Sequence, residues 1–317
     1  MSDTHADTIR SAVDEEIRPI LAGIELSRRG YLQLTKLVAT GIFGFFGVIA
    51  LILWGLISIW VALPVLGFAA IVAGLVAWAM ARMYRGTTLA QIVPPLAEAI
   101  GGMTYRPMAE GFNAAAVIDL GILPSSQAVA AEHLLEGMHR GTGFRMAELS
   151  CYDRVEQISM ATRRKRSRRR RNWRGLVIEV DVPVRFDGPV ILARDRGLAG
   201  RIHGAGLRRV DLPDPAFARI FEVYAADTDE AARLVTPALA QSLAALSQAR
   251  PGKALAAAFA SGVFVLTIPL PRGFLEQGSL FQPAHRLLDK VPQIVRELTL
   301  PHRVIDYLMG DRPGPLL

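Results

Sequence analysis

Residues 37–81 form a run of 45 positions without a charged side chain, bounded by Lys36 and Arg82. As one helix at ~1.5 Å per residue the run would reach about 68 Å, over twice a hydrocarbon core of ~30 Å. The pattern therefore predicts two passes, near 37–60 and 64–83, with the turn at Pro64. Proline lacks an amide hydrogen and disfavours helix at the residue before it. Upstream, Ile9, Val13, Ile17, Ile20, Leu21 and Ile24 recur at helical spacing, which predicts an amphipathic helix within residues 1–36, kinked at Pro19.

Downstream of Arg85 the periods are mixed. A short helix is expected over 87–101, distorted by Pro94-Pro95. Residues 133–139 and 144–151 are expected to pair as a hairpin around Gly141-Thr142-Gly143. Leu176, Ile178, Val180, Val182 and Val184 alternate with Glu179 and Asp181, the pattern of a half-buried strand. Residues 189–194 and 216–225 read as further strands. Asp227 and Glu230 are spaced as a capping box opening a helix that runs to about 247. A tight hairpin at Ser261-Gly262 joins strands 255–260 and 263–270. Residues 283–309 read as helix broken by Pro292 and Pro301, and 312–317, with two prolines, as a flexible tail. The order of elements predicts an α+β fold: N-terminal amphipathic helix, two-helix transmembrane hairpin, and a mixed α+β domain over 84–311.

The flanks of the apolar run set an expected orientation. Arg28, Arg29 and Lys36 precede it, Arg82 and Arg85 follow it, and the connecting loop is uncharged. The positive-inside rule then places both ends and the main domain in the cytoplasm. Ala69, Ala73, Ala77 and Ala81 recur every four residues, a face on which two helices could pack closely. No ionisable residue lies within the run, which argues against ion or proton transport.

Charge changes the picture at one place. The chain carries 36 Lys and Arg against 29 Asp and Glu, a net +7, yet residues 163–174 (RRKRSRRRRNWR) hold nine bases and no acid. Without them the net charge is −2 (7 − 9). Like charges at that density predict an exposed loop. Arg163, Arg164, Lys165, Arg166, Arg168, Arg169, Arg170, Arg171 and Arg174 are thus the candidate binding residues, for anionic lipid head groups or for nucleic-acid phosphates with Trp173 stacking on a base. An acidic protein partner and a merely solvated loop are the other readings.

Composition narrows the chemistry. At 51% hydrophobic the chain is richer than an ordinary soluble protein, and one cysteine excludes an internal disulfide or a cysteine-based zinc site. His133 and His139 could share a strand face with Glu132 and Glu136 close by, but two histidines on a strand are far more often structural, and no metal is expected. HExxH, GxSxG and Walker A motifs are absent, and no cofactor is expected. Cys151 reads as a small buried hydrophobe. The glycine-rich stretch 200–206 reads as a loop, with His203 and Asp195 the weakly supported pair of an enzyme.

Several short motifs in order carry a resemblance. Pro19, Glu25 and Arg28 precede the hairpin. Ile220-Phe221-Glu222-Val223-Tyr224 with Asp227, Thr236-Pro237, Ala258-Phe259 with Gly262 and Phe264, and Val304-Ile305-Asp306-Tyr307-Leu308 follow it. Nearly the whole chain resembles the bacterial "domain of unknown function 3137" family. The resemblance implies a bacterial membrane protein with a cytoplasmic α+β domain, and it transfers no catalytic residue. The expected function is a non-enzymatic, membrane-anchored interaction protein whose basic loop touches anionic lipid. The alternatives are a membrane-bound enzyme or a membrane-tethered nucleic-acid-binding protein.

Overall fold

The computed structural model describes residues 18–158, 165–182, 185–193, 206–249, 255–271, 273–275 and 280–310. Most of the expected amphipathic segment before Arg18, the glycine-rich stretch before Gly206 and the expected tail 312–317 lie outside them. The described chain divides into two compact units, residues 18–96 with 280–293, and residues 97–275 with 294–310.

The first unit is built on two long helices, α1 (Arg18–Leu56) and α2 (Ile59–Gly101). Both are long and apolar enough to cross a membrane. The chain turns at Ile57-Ser58, where both amides reach the Leu53 carbonyl (2.9 and 3.2 Å), earlier than the turn expected at Pro64. Pro64 lies inside α2, just past its first turn, where a missing amide removes only one helical bond. The segment expected as a separate helix over 87–101 simply continues α2. Tyr31 meets Tyr84 and Phe46 meets Phe68, ring centroids 6.0 and 5.6 Å apart, so the helices run antiparallel. Ala69 and Ala73 are buried while Ala77 and Ala81 are half-buried. Gly41, Gly44 and Gly47 face open space. Large apolar side chains point outward, with Leu56 and Trp60 each 78% exposed.

A 3₁₀ turn, Ala284–Lys290, packs on α1 through one carboxylate. Glu25 accepts two bonds from the Arg28 guanidinium (2.6 and 2.8 Å) and one from the Ala284 amide (3.1 Å), while Arg28 also donates to the Leu280 carbonyl (3.3 Å). The Arg28 bonds, aided by Ala284 and Arg29 against the cost of burial, hold the Glu25 carboxyl down at about 2. A depressed carboxyl stabilises a contact above its free pKa and loses that contribution as pH falls through its bound pKa. Amide exchange at Ala284 should therefore accelerate as pH falls from about 4.5 to about 2, relative to the intrinsic rate, and Glu25→Gln should abolish that dependence. Identical pH profiles for the two proteins would disprove the role.

The second unit is a nine-stranded, wholly antiparallel sheet in the order β1-β2-β3-β4-β9-β8-β5-β7-β6. Its strands are β1 (Thr104–Met108), β2 (Ala128–His139), β3 (Thr142–Ile158), β4 (Lys165–Asp181), β5 (Val190–Ala193), β6 (Arg208–Val210), β7 (Glu222–Ala225), β8 (Ala256–Ala260) and β9 (Val263–Pro269), with a short helix, α3 (Ala114–Asp119), between β1 and β2. Both expected hairpins form. The β8–β9 turn has Ser261 and Gly262 at φ 53° and 81°, the left-handed pair that joins twisted strands through two residues. Together with the long helices, this is an α+β chain.

Three local expectations change. Glu179 was expected on a solvated face, but residues 175–180 are buried on both faces because β4 lies mid-sheet. Arg145, directly opposite, pairs with Glu179 at 2.9 Å, and burial pushes the Glu179 carboxyl up. The strand expected over 216–225 is helix first: Asp214 caps α4 (Pro215–Ala218), accepting from the Ala216 and Phe217 amides, and only then does β7 begin. The helix expected from Asp227 to about 247 breaks at Val235-Thr236 into α5 (Thr228–Leu234) and α6 (Pro237–Ala249). Asp227 does cap α5, but Glu230 accepts from the Asp187 amide at 2.7 Å instead of closing a capping box. Two short helices, α7 (Val291–Leu298) and α8 (Leu300–Leu308), follow with Pro292 and Pro301 at their second positions, where proline costs no helical bond.

Candidate functional site

The basic run is strand, not loop, from Lys165 to Arg174. From Lys165 onward it pairs with the far end of β3, and the ladder is continuous from Ile158↔Lys165 to Phe144↔Val180 apart from one bulge. Because β2 pairs with β3 no further than Tyr152, and β9 with β4 no nearer than Gly175, residues 153–158 and 165–170 find their strand partners, among the described residues, in each other. They form a two-stranded ribbon that extends past the sheet. Backbone hydrogen bonds hold bases together here that as free side chains would repel.

The register shows how much that costs and what offsets it. Arg154 stands opposite Arg169, an unfavourable pair, and Asp153 opposite Arg170, a favourable one. The bulge falls between Cys151 and Tyr152, paired with Trp173 and Arg171, and leaves Asn172 as the extra residue. Its amide donates to Asp153 Oδ2 (2.8 Å), the Ser126 hydroxyl (3.2 Å) and the Ser125 carbonyl (3.3 Å). Asn172 thereby pins the ribbon root to the neighbouring loop, and a bulge of this kind twists and re-aims what lies beyond it.

The candidate residues do not all serve one purpose. Arg168, Arg169, Arg170 and Arg171 are exposed. Strand geometry puts 168 and 170 on one face and 169 and 171 on the other, about 7 Å apart on each. Lys165 and Arg166 lie at the described start of β4, and Arg163 and Arg164 lie outside the described residues. Trp173, considered for base stacking, is half-buried against the apolar core that contains Cys151. Arg174 is turned inward and pairs with Glu148, whose side chain is 2% exposed. Glu148 also accepts from the Phe274 amide at 2.7 Å. Burial pushes the Glu148 carboxyl up, against the pull of Arg174 and Phe274. An acid in the apolar strand 144–151 was the one sequence signal that a buried cation would be needed.

Gly175 closes the root. A Cβ there would strike the Ile268 carbonyl of β9 and come within 2.7 Å of the Trp173 ring. Gly175→Ala should lower stability by about 1–3 kcal/mol through overpacking, read as a lower midpoint of thermal unfolding. An unchanged midpoint would show that Trp173 yields freely.

The histidines considered for metal go separate ways. His133 sits in the irregular register of β2 at φ 56° and bonds the Tyr105 hydroxyl at 2.7 Å. His139 bonds Asp306 at 2.9 Å and stacks on His302 at 4.4 Å. Cys151 is buried, and burial pushes its thiol up, away from nucleophilic use. What the ribbon offers is positive charge on a defined scaffold, able to meet phosphate or carboxylate.

Comparison with known proteins is sparse. A search of curated proteins finds no match. Among solved structures, the crystal structure of the mycobacterial trehalose monomycolate transport factor A, TtfA, covers 67% of this chain and 90% of its own. It does so at 13% identity and a TM-score of 0.29, too slight a likeness to transfer fold or function. The family match is narrower than the resemblance seen in the sequence, starting within the basic run and leaving out Pro19, Glu25 and Arg28. Residues 171–309, from the ribbon root to the end of α8, match the model of the family described as Protein of unknown function (DUF3137).

Proposed function

We propose that this chain is a non-enzymatic, membrane-anchored interaction protein of the bacterial inner membrane. Helices α1 and α2 cross the bilayer, both ends and the sheet unit lie in the cytoplasm, and the arginine ribbon contacts anionic lipid head groups. The observation that carries the reading is the ribbon itself: Arg168–Arg171 held exposed, two to a face, on a backbone ladder. The outward apolar side chains of the hairpin and the cationic flanks of its uncharged run support the anchoring. Anchoring keeps the local concentration of head groups high, so individually weak contacts suffice.

One feature favours a second reading. A two-stranded β-ribbon is among the shapes that enter a nucleic-acid major groove, and this one is basic on both faces. Both readings can be tested on the full chain in nanodiscs of phosphatidylcholine, alone or with phosphatidylglycerol, by trypsin cleavage after Arg168–Arg171. Lipid contact predicts slower cleavage in the anionic discs, reversed by salt and unaffected by added RNA. Protection by RNA in neutral discs would favour the second reading. Equal cleavage under every condition would leave neither standing.

A further inference from the structure

The sheet unit contains a cavity of about 280 Å³ at the C-terminal end of β4. Its wall is apolar: Val180 of β4, Phe259 of β8, Leu234 at the end of α5, and Ile305 and Leu308 of α8. Cavities of about 150 Å³ with such linings stay dry and take up hydrocarbon. This one is nearly twice that, close to the lower end of the roughly 300–1,000 Å³ of small-ligand pockets.

The polar groups on its border select the rest of the ligand. Arg233 and Asp181, both exposed, lie on the border. Arg233 already donates to the Arg185 carbonyl at 2.9 Å and stands 3.7 Å from Glu230. The lining holds one carboxylate, Asp181, and one guanidinium, Arg233, whose charge Glu230 already faces, so the border does not favour an anion. These two side chains offer both acceptors and a donor, as a hydroxyl-bearing head group requires. Gly143 leaves the Asp181 carboxylate its place, because a Cβ there would collide with it.

We infer that this cavity binds the hydrocarbon end of a single-chain lipid with an uncharged, hydroxyl-bearing head group, a monoacylglycerol or its chemical equivalent. The inference rests on the membrane-anchored reading for the supply of ligand, and its site is separate from both the spans and the ribbon.

The test uses the full chain in phosphatidylcholine nanodiscs with a monoacylglycerol carrying a photoreactive diazirine in its chain. Palmitic acid with the same group serves as the anionic comparison, and adducts are mapped by mass spectrometry. The monoacylglycerol should label the 180–182 and 305–309 segments, and an excess of unlabelled monoacylglycerol should remove that labelling. Palmitic acid should label them severalfold less. Leu308→Trp, which fills the cavity, should reduce these adducts by about tenfold or more while adducts on 37–81 persist. Adducts confined to 37–81 would overturn the cavity inference and leave the anchoring reading intact, whereas absence of adducts on 37–81 would strike at the anchoring. Competition is measured on the wild type, so cavity labelling that unlabelled lipid fails to displace overturns the inference even where Leu308→Trp does not fold. Equal labelling by palmitic acid would overturn the head-group assignment.

Discussion

Replacing Arg168, Arg169, Arg170 and Arg171 together with serine is expected to weaken docking of the ribbon on an anionic bilayer by roughly a thousandfold. Each base near such a surface contributes about 1 kcal/mol, and four contribute about 4 kcal/mol, close to three powers of ten. The measurement places a fluorophore at the exposed Ser167, through Ser167→Cys in the full chain. It then follows quenching by head-group-labelled lipid in nanodiscs with and without phosphatidylglycerol. Cys151 is buried and will not compete for the label under native conditions. Wild-type quenching should fall as salt rises, because the surface potential decays over a Debye length of about 8 Å at physiological ionic strength. Four Arg→Lys changes at the same positions should retain most of it, since lipid adsorption needs charge and not the guanidinium fork. Loss of contact in the lysine variant would point to bidentate phosphate recognition instead. Quenching that survives the serine variant would rule out the ribbon as the contact.

Glu148→Ala is expected to cost about 3–5 kcal/mol, the range for removing one partner of a buried ion pair. Arg174, 18% exposed at its side chain, would lose its carboxylate, and the Phe274 amide would lose its acceptor. For a unit of this size the unfolding midpoint should fall by roughly 10 °C, followed through Trp173 fluorescence at the root. Glu148→Leu with Arg174→Met should recover most of the loss, because apolar groups of similar bulk need no partner. A midpoint within about 1 °C of wild type for Glu148→Ala would mean the pair is solvated after all. The two experiments also separate Arg174 from its neighbours. Arg174→Ser should lower stability while leaving the Ser167 signal unchanged, whereas the Arg168–Arg171 change should do the reverse.

The arginines divide in this way for a reason visible only in three dimensions. All nine bases look alike along the chain. Arg174 sits at the edge of the span where β4 has partners on both sides, its carbonyl accepting from the Leu270 amide (2.9 Å), and Arg168–Arg171 fall beyond it. Where a strand has sheet on both edges and packing on both faces, a charge needs a buried counter-charge. Where it has one partner strand, water or an external anion can supply the balance.

Features governed by near neighbours in the chain were legible from the residues alone. The uncharged run 37–81 marked two apolar helices, since composition over twenty residues decides that without reference to distant groups. Ser261-Gly262 and Gly141 marked hairpins because left-handed backbone at a two-residue turn is a local demand. Asp214-Pro215 carried an equally local signal for α4, a capping aspartate before a proline at the first helical position, and the apolar pattern of 216–225 obscured it. The turn at Ile57-Ser58 depended on how two long helices pair, with Tyr31 against Tyr84 and Phe46 against Phe68, and Pro64 alone did not fix it. Tertiary structure alone decided the burial of Glu179, the inward turn of Arg174 to Glu148, and the making of a ribbon from what reads as a repelling loop. Strand pairing is a contract between segments distant in sequence. A run of arginines has no apolar alternation to announce it, and only the matching edge of β3 makes it a strand.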